Sequence, residues 1–155
     1  MWKTTVLLLI SSIMLVAIVG CSNNGKEDKK GSKDLGLNIS KKTDILSIKL
    51  TSAKIVENEL NTDVDHVTLE LGVEAKNLSK EDADIGTGDF TIKTEDGKTY
   101  KFTGSENNFG DVIKSGETIK GKGYYSIPKD KKKMIVIYKP YKSTEQLKWD
   151  IEIKG

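Results

Sequence analysis

An all-β fold, an antiparallel β-sandwich of about seven strands, is what the greater part of this sequence predicts. Three observations lead there. From Ile45 onward apolar and polar residues alternate with period two in several short runs. Gly, Pro, Asp and Ser punctuate the chain between those runs, and no stretch carries a convincing helical period. Antiparallel strands with one polar face each must bury the other face, and two sheets packed face to face do this in ~100 residues.

Met1-Trp2-Lys3-Thr4-Thr5 carries one positive charge, and residues 6–19 are apolar except for Ser11 and Ser12. That run is short of the ~20 residues of a membrane span but fits a secretory apolar region of ~7–15. It ends in Ile18-Val19-Gly20-Cys21, which resembles the lipobox of bacterial lipoproteins, although that pattern prefers Leu at the first position and Ala or Ser at the second. The resemblance implies a diacylglyceryl group on the Cys21 sulfur, cleavage between Gly20 and Cys21, and a domain held by its lipid on the outer face of the cell membrane. Two acyl chains anchor stably where one does not. Residues 1–20 are therefore expected to be a cleaved signal peptide, and 21–43 the lipidated cysteine and a flexible, disordered linker of Gly, Ser, Asn and mixed charge. Lys26, Lys29, Lys30 and Lys33 are largely offset by Glu27, Asp28 and Asp34, so the linker reads as a soluble spacer.

Residues 44–155 form the predicted domain. Leu46, Ile48 and Leu50 alternate with polar residues, and Ala53-Lys54-Ile55-Val56 continue that strand or end it in a bulge. Val67, Leu69, Leu71, Val73 and Ala75 alternate with Thr68, Glu70, Gly72, Glu74 and Lys76, the clearest strand in the chain. Two short runs, 90–94 and 99–102, flank Asp96-Gly97, a strong hairpin signal. Residues 117–127 follow Ser115-Gly116 and end at Pro128, residues 134–138 end before Pro140, and Leu147, Trp149, Ile151 and Ile153 make a last alternating strand. Cys21 is the only cysteine, so no intrachain disulfide supports this core.

Written out, Leu69-Glu-Leu-Gly-Val-Glu-Ala-Lys-Asn77, Asp89-Phe-Thr-Ile-Lys-Thr-Glu-Asp-Gly-Lys-Thr-Tyr100, Ser115-Gly-Glu-Thr-Ile-Lys-Gly, Tyr125-Ser-Ile-Pro128 and Ile135-Val-Ile-Tyr-Lys-Pro140 follow one another in an order similar to a domain of unknown function common in lipoproteins of Gram-positive bacteria. That family is immunoglobulin-like (also called telokin-like) and related to secreted mycobacterial antigens. Tyr125 departs from it, since Phe is more usual there. The resemblance implies an immunoglobulin-like fold and export, without an activity. The Cys…Trp…Cys signature of antibody domains is absent.

All 25 basic residues are lysine against 23 acidic ones, so the arginine-rich stripe of nucleic-acid readers is missing, and no nucleic-acid partner is expected. His66 stands beside Asp63 and Asp65 without a nucleophile motif, and reads as a solvated residue at a strand start. Residues 81–89 resemble a calcium loop only faintly: from Asp82, Gly86 and Thr87 break the pattern, and an acidic inter-strand loop is expected. No catalytic residue, metal site or cofactor is expected. The run 129–133 reads as a charged hairpin tip. Period two puts Tyr125 inward with Ile119, Gly121, Gly123 and Ile127, and Lys120, Lys122 and Tyr124 outward. Those three residues are the candidate binding surface, with loops 77–89 and 103–111 as further candidates. The expected function is a membrane-anchored binding module of the cell envelope, its partner an envelope protein or an anionic polymer. The rivals are an envelope polysaccharide or peptidoglycan hydrolase working through a carboxylate pair, and a structural or chaperone accessory of an envelope complex.

Overall fold

Leu69, Leu71, Val73 and Ala75 are all buried, and they form the inward face of the strand on which the fold is organised. Residues 36–57, 63–104 and 106–153 are described in the computed structural model. The predicted signal peptide, Cys21 and the linker as far as residue 35 lie outside the described residues.

Among the described residues ten strands occur: β1 (Ser40–Lys42), β2 (Leu46–Val56), β3 (His66–Asn77), β4 (Ala83–Gly86), β5 (Phe90–Thr94), β6 (Thr99–Tyr100), β7 (Gly110–Ile113), β8 (Thr118–Pro128), β9 (Lys133–Tyr138) and β10 (Leu147–Glu152), with a 3₁₀ turn at Thr87–Asp89. One sheet has the order β1-β2-β3-β8 and the other β10-β9-β5-β6, while β4 and β7 pair with each other. Every pairing is antiparallel. The antiparallel β-sandwich read from the sequence is the fold. Leu46, Ile48 and Leu50 from the first sheet share one buried cluster with Phe90, Ile92, Val136, Trp149 and Ile151 from the second. Tyr125 points into this core, as its parity requires, and its hydroxyl donates to Thr87 O at 3.2 Å. Burial pushes that phenol's pKa far above its ordinary value.

All seven expected strands are present, and three more join them. β1 corrects the boundary of the linker. Residues 36–43, assigned to a flexible spacer by composition, are tied to the domain: Ser40, Lys41 and Lys42 pair with Lys49, Ile48 and Ser47. Asn38 N–H donates to Leu50 O at 2.7 Å, and Trp149 Nε1–H donates to Ile39 O at 3.0 Å. Ser-Lys-Lys has no apolar side chain to reveal a strand; backbone hydrogen bonds and the neighbouring Trp149 hold it instead. Gly36 is needed at the entry, because its φ is +95° and a Cβ would stand 2.4 Å from Asp150 O.

β4 and β7 correct the loop readings. The acidic stretch 81–89 is a strand followed by a 3₁₀ turn, with Ala83 and Ile85 buried and Asp84 turned outward. A two-residue alternation inside an acidic run is too short to stand out. Within 103–111, Gly110 and Asp111 belong to β7, and part of the remainder is bound along the edge of β8. The run 99–102 is shorter as a strand than expected: it ends at Tyr100, and Phe102 makes an isolated bridge to Tyr125.

Candidate binding face

β8 places Lys120, Lys122 and Tyr124 at alternate positions on the outer face of the first sheet. Register decides what stands beside them. Glu74 is opposite Lys120 on one side and Lys49 on the other. Glu70 lies between Lys54 and Tyr124 in the same way, and Gly72 between Ser52 and Lys122. The outer face is thus a grid in which the carboxylates occupy the central strand and the lysines flank them.

The central carboxylates are saturated. Glu70 Oε1 is 3.3 Å from Lys54 Nζ and 3.2 Å from Lys122 Nζ, and Tyr124 donates its hydroxyl to Oε2 at 3.2 Å. Glu74 pairs with Lys49 at 2.5 Å and Lys120 at 3.3 Å. Only 7% of the Glu70 side chain is exposed, against 55% for Lys122 and 59% for Lys54, so the carboxylate is sunk and the ammonium groups stand at the surface. Burial alone would raise the Glu70 pKa, but hydrogen bonds from Lys122, Lys54 and Tyr124 together outweigh it and hold the carboxyl below its usual range. Glu74 is also lowered, chiefly by its bond from Lys49. Burial first, then the Glu70 charge, raises the Tyr124 hydroxyl.

Two local devices set this grid. A bulge between Leu50 and Ser52 shifts the register of β2, and Gly72 lies opposite it. A Cβ on Gly72 would meet Ser52 Oγ at 2.4 Å and Thr51 Oγ1 at 2.6 Å, so glycine leaves room for both hydroxyls. On the other side, Thr103 N–H donates to Tyr124 O and Phe109 N–H to Lys122 O, while Tyr124 N–H donates to Asn108 Oδ1. These bonds fix the backbone that carries Lys122 and Tyr124. Sequence reasoning found the three β8 residues and missed Glu70, Glu74, Lys49 and Lys54, whose only signal was their outward parity on strands of unknown register.

The other candidates are dispersed. His66 opens β3 half-buried; its Nδ1 is 2.7 Å from Asp63 Oδ2, a close contact and not an aligned hydrogen bond, and its ring is 6.2 Å from that of Tyr100. Among the described residues no three His, Cys, Asp or Glu side chains group as metal ligands. In the turn between β8 and β9, Lys129 pairs with Asp65 at 3.2 Å and Lys131 with Asp130 at 3.1 Å. That turn borders a cleft of about 540 Å³ whose apolar wall includes Leu37, Ile55, Val67 and Ile153. Asp89 is the carboxyl displaced upward, by burial and by the nearby Asp84 charge, against a lowering bond from Gly86 N–H.

The family model for a domain of unknown function, DUF4352, matches residues 35–148, which run from the start of the described structure into β10. The chain belongs to the DUF4352 family. The DUF4352 match takes in β1, in agreement with the structural boundary and not with the compositional one. Solved structures share the fold of this DUF4352 domain. A lipoprotein candidate of Bacillus subtilis, YcdA, superposes with TM-score 0.62 at 19% identity over 73% of this chain, which spans only 38% of that protein's length. The secreted protein MPT63 of Mycobacterium tuberculosis gives 0.58 at 19% identity, covering 76% of this chain and 94% of its own. The YjhA protein of Bacillus subtilis gives 0.57 at 15%, covering 76% and 98%. No curated protein matches the sequence.

Proposed function

We propose that this protein is a lipid-anchored, extracytoplasmic lipoprotein whose DUF4352 domain works as a binding module at the cell envelope, and not as an enzyme. The observation that carries the reading is Ile18-Val19-Gly20-Cys21 at the end of an apolar run, fifteen residues before Gly36. A thioether-linked diacylglyceryl group on Cys21 anchors through two chains. Fifteen residues reach at most about 50 Å when fully extended, so the domain works near the bilayer. The fold relationship to a lipoprotein candidate and a secreted protein supports an envelope setting. Binding is supported by the open, ordered face around Glu70 and Glu74. A hydrolase needs two convergent carboxyl groups at a substrate cleft. Asp89, the raised carboxyl, is half-buried, its Oδ2 accepts the Gly86 N–H at 2.8 Å, and it lines neither the 540 Å³ cleft nor a smaller one of about 290 Å³ beside Ile135 and Asp150.

The anchor is tested by metabolic labelling with a fatty acid. Label on the wild type, lost in Cys21→Ser, and precursor accumulating with the signal-peptidase inhibitor globomycin are the expected results; label persisting on the Ser variant refutes the anchor. The choice of binding over catalysis is tested on cleaned wall fragments. Reducing sugars released by the wild type and not by Asp89→Asn would replace the binding module with a hydrolase.

A further inference from the structure

The two outer faces of the sandwich differ in charge. On the β1-β2-β3-β8 sheet the outward strand positions hold Lys42, Lys49, Lys54, Lys76, Lys120 and Lys122 against Glu70 and Glu74 alone, an excess of four positive charges. On the opposite sheet they hold Lys93, Lys133 and Lys148 against Asp150 and Glu152, an excess of one. The whole chain carries only +2, so the first face concentrates positive charge that the rest offsets. Lys42 and Lys76 are exposed and make no ion pair among the described residues. Outward residues along a strand are two apart, so the lysines stand in rows about 7 Å apart, extending about 20 Å from the row of Lys54 to that of Lys76. The hydroxyls of Ser47, Ser52 and Thr118 lie in the same rows.

We infer that this face binds a linear, base-free polyanion of phosphodiester chemistry, laid along the strands. The inference rests on the reading of the domain as an extracytoplasmic binding module and names its partner. Three features select this occupant. A ladder of ammonium groups at regular spacing matches a chain with regularly spaced charges, and lysine, which supplies all 25 of the Lys and Arg cations here, meets phosphate as a compact point charge that needs no fixed fork geometry. A protein partner needs aromatic or arginine anchors at its centre; the face supplies Tyr124, whose hydroxyl is already given to Glu70. The rows extend about 20 Å from Lys54, at the cleft that holds Leu37, Ile55, Val67 and Ile153, to Lys76, a length that suits a chain molecule over a single lipid headgroup. Glu70 and Glu74 hold the lysines in their rows, and Glu74, the more exposed of the two, competes with the polymer for Lys49 and Lys120.

The test titrates the full chain, solubilised from membranes in non-ionic detergent, with synthetic poly(glycerol phosphate) at about 50 and about 200 mM salt. Binding that weakens with salt is expected. Lys42→Gln/Lys76→Gln/Lys120→Gln reduces the slope of log K against log salt by about two and weakens binding tenfold or more at the lower salt. Glu74→Gln tightens binding, a gain that unfolding cannot imitate. Lys93→Gln/Lys133→Gln/Lys148→Gln, on the outer positions of the opposite sheet, leaves it unchanged. Absence of poly(glycerol phosphate) binding, equal losses in the two triple variants, no gain from Glu74→Gln, equal affinity for polygalacturonate, or displacement by an equal phosphate concentration of phosphatidylglycerol in mixed micelles each overturns the inference. The anchor reading fails separately, if Cys21→Ser protein still takes up the fatty-acid label.

Discussion

Asn77 ends β3 with no exposed surface, and its side chain ties that strand end to the turn at Ser79 and Glu81 and to β7. Its Nδ2 donates to Glu81 O at 2.7 Å and to Ile113 O at 2.8 Å; its Oδ1 accepts from Ser79 N–H at 2.8 Å and lies 2.8 Å from Ser79 Oγ. Asn77→Asp keeps the shape and reverses the two donations into contacts between a carboxylate and two carbonyls. Two lost hydrogen bonds at about 1 kcal/mol each, with Ile113 O left unsatisfied in the interior at about 1–3 kcal/mol, give a loss of about 3–5 kcal/mol. At roughly 4 °C per kcal/mol for a domain of this size, Tm falls by about 12–20 °C. The sign with pH is fixed. The carbonyls and burial raise the folded-state pKa of the new carboxyl, so its protonated form is the tolerated one. The deficit is therefore full above that raised pKa and shrinks as pH falls toward the ordinary Asp value of about 3.9. Asn77→Ala, which has no proton to gain, shows a deficit independent of pH. Urea unfolding by far-ultraviolet circular dichroism at pH 7 and pH 4.5, each variant against wild type, measures both. A loss below about 1 kcal/mol at pH 7, or an Asp deficit that does not shrink in acid, refutes the role given to Asn77.

Three further outcomes are expected. Gly121→Ala puts a Cβ 2.4 Å from both Cβ and Cγ of Phe109, so it costs about 1–3 kcal/mol in urea unfolding, and adding Phe109→Ala recovers part of that loss in a double-mutant cycle. Glu70→Gln replaces charge-assisted bonds to Lys122, Lys54 and Tyr124 and costs about 2–3 kcal/mol at pH 7. Because the folded pKa of Glu70 is depressed, its contribution is present above the unfolded value near 4.5 and is lost as pH falls through the folded one, so the gap between wild type and variant closes in acid. Asp89 has the opposite sign: its raised folded pKa makes the charged form a liability at pH 7, so Asp89→Asn, which keeps an acceptor for Gly86 N–H, gains about 0.5–1 kcal/mol at pH 7 and nothing below pH 4.

The strands that were legible in the sequence are those whose inward residues are large and apolar over at least one full alternation. β3 and β8 announce themselves in this way. β1 does not, because Ser40, Lys41 and Lys42 are held by backbone pairing and by Trp149, more than a hundred residues away. β4 and β7 escape for a related reason: each buries only one or two side chains, Ala83 and Ile85 in one and Ile113 in the other. The binding face was half legible. Parity within one strand puts Lys120, Lys122 and Tyr124 on the same side, since successive side chains must alternate. Nothing in one strand says which strand lies beside it, so Glu70 and Glu74 emerged only with the register.

Lys49 and Lys54 show the division most clearly. Five residues apart, they would face opposite sides of a regular strand, and the bulge between Leu50 and Ser52 brings both to the outer face. By itself the sequence determined the class of fold, the inward and outward residues of each strongly alternating strand and the turns between them, because these follow from local period and backbone preference. Tertiary structure decided the neighbours: the bulge accommodated by Gly72, the sinking of Glu70 among two lysines and a tyrosine, and the gathering of six lysines on one face. Those are relations between strands distant in sequence, and hydrogen-bond register with core packing, not local pattern, sets them.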